Sequence, residues 1–329
     1  MKVCVYGSRE DEMGYYENRE REFNFQLTFT EKMLTPDTVE LAKGCTAIVI
    51  VTACRIDANM AALLKEAGVK YIASRAAGTD HMDLDAIAAN GLKAASVPFY
   101  SPSAIAEHTM LLTLALLRNL KREMMHVQRS CFTLDNIRGR ELGNMTVGVI
   151  GTGRIGERTI QLLSGFGCRI LAYDIYEKES VKKLACYAPL DELYAQSDIL
   201  ILHCPLTKEN YHMINYESLV QLKDGVLIVN TARGGLIDHR ALLDALNGGK
   251  VAGFAFDVYE NESAFMRKDL EGAEVDDPIF NALIAKAKVL FTSHMSFYTD
   301  TAIENMIQTT LENLREYSLT GSCKNELTR

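Results

Sequence analysis

Short apolar runs alternate with helical patterns along the first hundred residues. The pattern predicts strands at KVCVYG, NFQLTF, AIVIV, VKYIAS and LKAASVP. Between these runs, segments such as ANMAALLKEAG and DLDAIAANG have the apolar spacing of amphipathic helices. Strands that alternate with helices in this way build parallel βαβ units, so the sequence predicts an α/β domain with a parallel sheet.

A long apolar-periodic segment follows and predicts one helix from about Ser103 to Val127. Ser101 or Ser103 is available as its N-cap, and Pro102 suits the first turn. A helix of this length can bridge two domains.

A second alternating series occupies the rest of the chain. It predicts strands at TVGVIG, CRILAYD, DILILHCP, GVLIVNT, KVAGFAFDV and KVLFTSH, with helices that begin near Arg154, Leu190, Tyr216, His239 and Asp277. Six strands are enough for a complete doubly wound sheet. A last amphipathic helix, from about Thr299 to Ser318, is expected to return to the first domain, and its apolar positions are Ile303, Met306, Ile307, Leu311 and Leu314.

Length and charge agree with a globular protein of two domains. The chain has 329 residues, of which 48% are hydrophobic and 24% charged, so each domain can bury a core. The formal net charge of −8 disfavours nucleic acid or an anionic membrane as a partner, because a negative surface repels both. A small-molecule ligand is the expected partner.

The eight cysteines have the pattern of reduced thiols. They form no C-x-x-C motif and no zinc-like cluster with histidine, so neither a metal site nor a disulfide framework is predicted. The N-terminus lacks a secretory apolar region, and the run MLLTLALL is far shorter than the roughly 20 residues that span a bilayer. We therefore expect a cytoplasmic protein.

A glycine pattern in the second series predicts dinucleotide binding. Gly151, Gly153 and Gly156 read G-x-G-x-x-G directly after a strand and at the start of a helix, and Asp174 ends the next strand. The glycines let backbone N–H groups approach a pyrophosphate at a helix N-terminus. Asp174 is suited to accept hydrogen bonds from ribose hydroxyls and to repel a 2′-phosphate, which favours NAD over NADP.

Three later strand ends carry charged residues, and open α/β sheets bind ligands at this edge. Arg233 follows one strand, Asp257, Glu260 and Glu262 follow the next, and His294 follows the last. Singly, each has an ordinary structural explanation. Together they supply an anion clamp, a carboxylate partner and a proton donor beside a nucleotide.

At this point the chain resembles a family, the D-specific 2-hydroxyacid dehydrogenases, and within it the D-lactate dehydrogenase branch. The resemblance covers essentially the whole chain, and seven motifs that occur in the family's order carry it. They are AAGTDHMDLDA (76–86), VPFYSPSAIAEHT (97–109), GVIGTGRIG (148–156), LHCPLTKENYHMI (202–214), VNTARGGLID (229–238), DVYENE (257–262) and SHMSFYTDTA (293–302).

The resemblance implies a domain plan. Two Rossmann- or flavodoxin-like domains are expected, each with a doubly wound parallel sheet. Residues 1–100 and 298–329 would form the substrate domain, and residues 101–297 the NAD-binding domain inserted into it, with substrate in the cleft between the two. This plan explains why 150 residues precede the glycine motif.

The family also implies catalytic roles. Arg233 would bind the carboxylate of a 2-oxo acid, and protonated His294 would donate a proton to its carbonyl oxygen while NADH delivers hydride. Glu262 would hydrogen-bond His294 and raise its pKa. Backbone N–H groups of Ala77 and Gly78 would take the carboxylate from the other domain.

Further residues match the family's cofactor contacts. They are Arg154, Ile155, Asp174, Cys204, Pro205, Asn210, Thr231, Ala232 and Asp257, in addition to the three glycines. His203 would lie beside the nicotinamide edge and is the rival for the role of proton donor. We rank it second because no carboxylate lies near it in the sequence.

The residues expected around the substrate side chain leave its identity open. Tyr100, Met295 and Phe297 would line the site, and Val51 stands where some lactate enzymes carry tyrosine. A roomier pocket admits pyruvate but also 2-oxoisocaproate or phenylpyruvate. A dicarboxylate such as 2-oxoglutarate needs a second cation, for which Arg55 or Arg75 is the candidate.

The expected function is NADH-dependent reduction of a 2-oxo acid to the D-2-hydroxy acid, with D-lactate dehydrogenase activity first. The alternatives are a D-2-hydroxyisocaproate, phenyllactate or 2-hydroxyglutarate dehydrogenase, and, in another class, an NAD(H)-responsive binding protein or corepressor. An L-specific lactate dehydrogenase is disfavoured because its nucleotide domain opens the chain. The helix predicted from about Ser103 to Val127 carries more apolar residues than one sheet face needs, at Met110, Leu111, Leu114, Leu117 and Met124, and the family resemblance implies a homodimer packed through the cofactor domains.

Overall fold

Strands and helices alternate throughout a computed structural model, which describes residues 1–266 and 268–328 and all of their side chains except those of Asn18, Glu20 and Arg21. The strands are β1 (Lys2–Tyr6), β2 (Gln26–Thr30), β3 (Ala47–Ile50), β4 (Tyr71–Ser74), β5 (Lys93–Ala95), β6 (Thr146–Ile150), β7 (Arg169–Tyr173), β8 (Cys186–Tyr187), β9 (Ile199–Leu202), β10 (Val226–Asn230), β11 (Val251–Phe256) and β12 (Val289–Phe291). The α-helices are α1 (Met13–Phe23), α2 (Ala58–Glu66), α3 (Leu84–Ala89), α4 (Pro102–Leu117), α5 (Leu120–Gln128), α6 (Arg154–Ser164), α7 (Glu179–Lys182), α8 (Leu190–Gln196), α9 (Tyr216–Gln221), α10 (His239–Asn247), α11 (Pro278–Ile284) and α12 (Asp300–Thr320). Short 3-10 helices lie at Glu10–Glu12, Val39–Ala42, Leu142–Asn144, Gly234–Leu236 and Glu262–Ala264.

The chain divides into two compact units. One consists of Met1–Ser101 together with Tyr298–Arg329, and the other of Pro102–Phe297. The first unit is therefore assembled from two separate pieces of sequence, and the second is one continuous piece.

The first unit contains a parallel sheet of five strands in the order β2-β1-β3-β4-β5. Alternate strand residues such as Ile48 and Ile72 pack with α2 and α3 into a core on one face. Helices α1 and α12 contact each other, and α12 also contacts β4. All five apolar positions predicted for the last helix are buried, and the Thr299 hydroxyl caps that helix by accepting from Ala302 N–H.

The second unit contains a parallel sheet of seven strands in the order β12-β11-β10-β9-β6-β7-β8. Consecutive residues of β9 face opposite sides, so Leu200 belongs to one apolar core and Ile201 to another. Strand order reverses between β6 and β9, and ligands bind at such a reversal in doubly wound sheets. The predicted α/β class with two parallel sheets is confirmed.

The helix predicted over Ser103–Val127 is wrong in one respect, because it is two helices, α4 and α5. Asn119 separates them in a left-handed conformation with φ of 50°, and its side-chain amide donates to the carbonyl of Arg138 at 2.9 Å. Asparagine tolerates this conformation better than most residues. Helix α4 begins at Pro102, so Ser103 lies inside its first turn and is not its N-cap.

Two small elements of the second unit were not predicted. Helix α7 has four residues, and β8 has two, paired with Leu171 and Ala172 of β7. Neither is long enough to display a periodicity. Among the described residues, none of the helices combines the length and the apolar character that a membrane crossing requires.

Candidate active site

The glycine turn after β6 is built by close backbone contacts. Gly151 has φ of 95°, and a Cβ placed on it would lie 2.4 Å from the backbone nitrogen of Cys204. A Cβ on Gly156 would lie 1.9 Å from the carbonyl oxygen of Gly151. Only glycine satisfies both positions, because any side chain there would overlap backbone atoms.

Gly153 differs from the other two glycines. It is the N-cap of α6, is exposed, and a Cβ on it would meet no atom within 4 Å. Arg154 and Ile155 form the first turn of this helix, whose N–H groups have no carbonyl partners within the helix. The space in front of Gly153 therefore fits an anionic group held by backbone N–H groups, such as a pyrophosphate.

Asp174 follows β7 and faces the glycine turn. Its Oδ2 accepts from the backbone N–H of Thr152 at 2.6 Å and from the Thr152 hydroxyl at 3.1 Å, and its Oδ1 accepts from Tyr176 N–H at 3.1 Å. The preceding residue, Tyr173, accepts from Gly151 N–H at 2.8 Å. The carboxylate is thus fixed beside the turn, as a ribose-binding residue requires.

His203 lies directly after β9, next to the glycine turn. Its Nε2 is 2.8 Å from the hydroxyl of Thr159 in α6, and its Cβ is 3.5 Å from the position that a Cβ on Gly156 would take. Burial lowers the pKa of His203 to about 3, because charging the ring there would cost solvation. The ring is therefore neutral at ordinary pH, which favours His294 over His203 as the proton donor.

The loop after His203 is held by one side chain. Asn210 donates from Nδ2 to the carbonyl of Pro205 at 2.7 Å, and its Oδ1 accepts from Thr207 N–H at 2.7 Å. The thiol of Cys204 is half-buried in this loop, and burial raises its pKa to about 11. Cys204 is consequently a protonated thiol rather than a thiolate nucleophile.

The segment after β10 presents Arg233. Buried Asn230 accepts from Ala232 N–H at 3.0 Å and donates to the carbonyl of Arg233 at 2.9 Å, which holds the chain extended there. The guanidinium Nη1 donates to the carbonyl of Ala232 at 2.8 Å. Thr231 is buried, with its hydroxyl 2.9 Å from that of Thr109 in α4. Asn230 was not predicted, because a polar residue at the end of a buried strand gives no distinctive pattern.

Glu262 and His294 form a hydrogen-bonded pair. Oε1 of Glu262 is 2.6 Å from Nδ1 of His294, and Oε2 accepts from Tyr259 N–H at 2.8 Å. Both side chains are partly exposed, at 21% for Glu262 and 29% for His294. His294 has φ of 50°, a left-handed conformation that is uncommon for residues other than glycine. The sequence prediction that these two residues come together is met by this geometry.

Asp257, predicted as a cofactor contact, is bound by the loop that follows β12. The residue has no exposed surface; its Oδ1 accepts from Met295 N–H and the Thr292 hydroxyl, at 2.9 and 2.6 Å, and its Oδ2 accepts from Ser296 N–H at 2.9 Å. Its role as a cofactor contact stays a prediction from the family resemblance. Asp257 holds the loop that carries His294.

A second histidine supports the same loop. Nε2 of His108 in α4 lies 2.9 Å from the hydroxyl of Thr292 and 3.7 Å from Oδ1 of Asp257. Burial lowers the pKa of His108, and the neighbouring carboxylate of Asp257 opposes that shift. His108 was part of a family-like motif in the sequence, but its contact with Thr292, 184 residues away, has no local sequence signal.

The residues predicted to bind the substrate carboxylate or to line the substrate side chain include four that follow strands of the first unit. Ala77 is exposed and Gly78 half-buried in the segment after β4, and the carbonyl of Tyr100 accepts from the Asn305 amide at 2.7 Å. Val51 is half-buried after β3, and a Cβ on Gly7 would lie 3.0 Å from its Cγ2. Val51 therefore lies where strand order reverses between β1 and β3.

Arg75 is not available as a second cation for a dicarboxylate, and that expectation is wrong. It is buried, with its guanidinium 2.5 Å from Glu12 Oε2 and 3.0 Å from the carbonyl of Gly7. A buried arginine that is already paired stays with its carboxylate, because breaking the pair would leave an uncompensated charge. Arg55 is exposed.

The apolar residues Met295 and Phe297, which follow His294, belong to the second unit. The ring of Phe297 is edge-on to that of His294, with centroids 6.5 Å apart, and Met295 is 41% exposed. Over the described residues, no group of three or more histidine, cysteine or acidic side chains is placed to hold a metal ion.

A glycine turn, a ribose-type carboxylate and an Arg–Glu–His set at one edge of a doubly wound sheet define a nucleotide-dependent oxidoreductase of the α/β class. The chain belongs to the D-isomer specific 2-hydroxyacid dehydrogenase family, since the model of that family's NAD-binding domain matches residues 110–296. It is therefore an NAD-dependent enzyme that interconverts 2-oxo acids and D-2-hydroxy acids.

Several relatives match over nearly the full length. The chain is 40% identical over 327 residues to an aromatic 2-oxoacid reductase of Clostridium sporogenes, with 99% of each chain covered. It is 40% identical over 328 residues to a D-lactate dehydrogenase of Escherichia coli, with 99% of this chain and 100% of the relative covered. The solved apo structure of the Escherichia coli D-lactate dehydrogenase matches with a TM-score of 0.90 and 39% identity, covering 100% of both chains. A D-2-hydroxyisocaproate dehydrogenase structure matches with a TM-score of 0.89 and 34% identity, again covering 100% of both.

Proposed function

We propose that this chain reduces pyruvate to D-lactate with NADH and also accepts larger aliphatic or aromatic 2-oxo acids. The observation that carries the proposal is the 2.6 Å contact between Glu262 and His294, with Arg233 after an adjacent strand. These three residues follow β11, β12 and β10, which are neighbours in the sheet. Their side chains supply proton donation and anion binding at one edge.

In the proposed mechanism, Arg233 binds the substrate carboxylate and polarises the carbonyl group. NADH, when bound, supplies hydride to the carbonyl carbon. His294 donates its proton to the carbonyl oxygen from Nε2, while Nδ1 stays bound to Glu262. The carboxylate of Glu262 orients the ring and stabilises its protonated form, which is the form that reduction consumes.

Two buried residues keep these groups in position. Asp257 holds the loop of His294 through three hydrogen bonds, and Asn230 holds the backbone on both sides of Arg233's peptide. Catalysis requires geometry fixed within a fraction of an ångström, so we assign positioning roles to both.

For the cofactor, we assign the ribose hydroxyls to Asp174 and the pyrophosphate to the turn at Gly151, Gly153 and Gly156. Arg154 and Ile155 adjoin this turn in the first turn of α6. The remaining nucleotide contacts are assigned by family resemblance to residues that follow β9 and β10, namely His203, Cys204, Pro205, Asn210, Thr231 and Ala232. The proposal predicts that Asp174→Ala weakens NADH binding and narrows the preference for NADH over NADPH.

The remaining substrate contacts are assigned by family resemblance. The backbone at Ala77 and Gly78 would bind the carboxylate, and Tyr100, Val51 and Phe297 would contact the substrate side chain. Valine leaves more room than the tyrosine of some lactate enzymes, which supports activity on 2-oxoisocaproate or phenylpyruvate. The relative named an aromatic 2-oxoacid reductase, 40% identical, supports the same extension.

A panel of 2-oxo acids with NADH tests the proposal. We expect rapid oxidation of NADH with pyruvate, measurable turnover with phenylpyruvate and 2-oxoisocaproate, and products of D configuration. Turnover of 2-oxoglutarate should be poor, because Arg75 is paired with Glu12. Nucleotide binding without turnover of any 2-oxo acid would support the binding-protein alternative, and an L product would refute the stereochemical assignment.

A homodimer is part of the proposal. Met110 and Leu117 are buried within the second unit, so those two do not contribute a surface, contrary to the sequence expectation. Other apolar side chains of the same region are exposed by 42 to 83%, namely Leu111, Leu120, Met124, Val127, Phe132 and Leu134. Several exposed apolar side chains in one segment of the chain support an isologous interface with a second copy. Sedimentation at micromolar concentration should give the mass of two chains.

We also propose a cytoplasmic location. All eight cysteines are free thiols, and Cys4, Cys45 and Cys54 are buried in the first unit. Reduced thiols persist where glutathione and thioredoxin keep them so. Fractionation of expressing cells, with NADH oxidation by pyruvate as the assay, tests this.

A further inference from the structure

A chain of hydroxyl groups leads to the carboxylate of Asp174 from a residue outside the nucleotide motif. The hydroxyl of Tyr187, on the short strand β8, lies 2.8 Å from the hydroxyl of Thr152. Thr152 in turn contacts Asp174 Oδ2 through its hydroxyl at 3.1 Å and its backbone N–H at 2.6 Å. The backbone N–H of Lys178 donates to the Tyr187 oxygen at 3.0 Å.

The donor and the acceptor of each hydrogen bond in this series of hydroxyl groups follow from elementary chemistry. An ionised carboxylate only accepts, so the hydroxyl hydrogen of Thr152 points to Asp174. The Thr152 oxygen must then accept the hydrogen of Tyr187, because each hydroxyl has one hydrogen to give. The Tyr187 hydroxyl therefore donates to Thr152, and its oxygen accepts a hydrogen bond from the Lys178 N–H.

This arrangement fixes the carboxylate before any nucleotide arrives. Thr152 has no exposed surface and Tyr187 is half-buried, so water cannot readily replace either hydroxyl in these hydrogen bonds. With Tyr176 N–H on Oδ1, three protein donors hold Asp174 in one rotamer. A preorganised group binds with less loss of side-chain entropy than a mobile one, and it repels a 2′-phosphate from a fixed place.

We propose that Tyr187 is a positioning residue that acts through Thr152 on Asp174 and thereby sets the preference for NADH over NADPH. The inference rests on the assignment of the ribose hydroxyls to Asp174. It adds a residue of β8, 31 positions beyond Gly156, to the determinants of cofactor choice.

The first test is Tyr187→Phe, which keeps the ring and removes the hydroxyl. We expect the KM and Kd for NADH to rise about 3- to 10-fold, as the loss of one hydrogen bond implies, and the kcat/KM ratio of NADH to NADPH to fall by a similar factor. The effect should fall on KM rather than on kcat. Thr152→Val should behave in the same way. Thr152→Ser keeps a hydroxyl and should retain the preference for NADH over NADPH.

The matched control is Tyr194→Phe in α8 of the same unit. Tyr194 is buried, and its hydroxyl has no hydrogen-bond partner among the described residues, so removing it should leave the cofactor ratio unchanged. The ratio of kcat/KM for the two cofactors is measured on one preparation. A partly unfolded sample lowers both values equally, so a merely structural role of Tyr187 does not move the ratio.

Asp174→Ala separates this inference from the assignment on which it rests. If Asp174→Ala loses the preference while Tyr187→Phe and Thr152→Val both keep it, the role of Tyr187 is refuted and the ribose assignment stands. If Asp174→Ala itself keeps full preference for NADH, the ribose assignment fails, and the role of Tyr187 fails with it. A drop in the melting temperature of Tyr187→Phe with an unchanged ratio likewise refutes the proposal.

Discussion

Nδ1 of His294 lies 2.6 Å from Oε1 of Glu262, although 31 residues separate them in the sequence. The second oxygen of Glu262 accepts from the backbone of Tyr259, so the carboxylate is held from both sides. This relationship leaves the ring with a defined tautomer, in which Nδ1 carries a hydrogen toward the carboxylate. The opposite nitrogen, Nε2, is the atom to which we assign proton transfer.

Replacing His294 by alanine removes the proposed proton donor. We expect kcat for pyruvate reduction to fall by about 100-fold or more, since general acid catalysis contributes on this scale. NADH binding, followed by fluorescence titration, should be largely retained because the nucleotide residues lie on other loops. Near-normal turnover of the variant would rule out His294 as the acid.

Glu262→Gln keeps a hydrogen-bonding side chain but removes the charge that stabilises the protonated ring. Reduction consumes the protonated ring, so its rate should decline at a lower pH in the variant than in the wild type. Oxidation of D-lactate needs the neutral ring and should extend further toward acid. Profiles of kcat/KM against pH in both directions check the sign, and an identical pair of profiles for wild type and variant would disprove the pairing.

Gly153 and Gly156 should respond differently to alanine. A Cβ on Gly153 meets nothing within 4 Å, so Gly153→Ala should change the melting temperature by no more than roughly 2 to 4 °C. It should still raise the Kd for NADH at least about 10-fold, because the methyl group occupies the space assigned to the pyrophosphate. Gly156→Ala should destabilise the fold itself, since its Cβ would lie 1.9 Å from a carbonyl oxygen.

The control for this pair is Gly14→Ala in α1, where a Cβ also meets open space, far from the nucleotide motif in the sequence. It should change neither the NADH affinity nor the turnover. Unaltered NADH binding by Gly153→Ala would contradict the assignment of the pyrophosphate to this turn.

Buried His239 should make the protein sensitive to acid. Burial lowers its pKa to about 4, and its Nε2 has no partner among the described residues. The unfolded chain takes up a proton near pH 6.5 and the folded chain does not, so stability is full above that pH and falls as the pH drops toward 4. The loss is about 1.4 kcal/mol per pH unit for this group.

His239→Leu tests this expectation by removing the titrating ring from a site lined by Phe254, Phe256 and Tyr259. Urea unfolding at pH 7.5 and pH 5 should show a smaller acid loss in the variant than in the wild type. Parallel losses in the two proteins would mean that His239 is protonated in the fold or exposed to solvent.

The sequence predicted the strands and helices whose apolar residues recur with a regular period. Every predicted strand is present, the last helix buries the apolar positions expected of it, and the glycine turn follows β6 as the motif requires. The pairing of Glu262 with His294 was also within reach, because parallel strands bring their ends to one edge of the sheet. The positions of these two side chains therefore follow from the order of the strands in the sheet.

The sequence did not predict features that depend on contacts between residues far apart in the chain. The break at Asn119 has a weak local signal, since asparagine tolerates the left-handed region, but the carbonyl of Arg138 that its side chain binds lies 19 residues away. The sequence also did not predict that Asp257 holds the loop of His294 through Thr292, Met295 and Ser296. Asp257 is buried because this loop covers it. The residues around Asp257 in the sequence give no sign of this contact.

The left-handed backbone at His294 has a consequence for attempts to improve this enzyme. A non-glycine residue held at φ of 50° costs about 1 to 2 kcal/mol relative to a relaxed backbone, and the loop around Asp257 holds it there. Glycine at this position would release that energy and remove the imidazole. Selection for heat resistance alone would therefore favour an inert protein, so any library aimed at durability has to be screened for turnover at the same time.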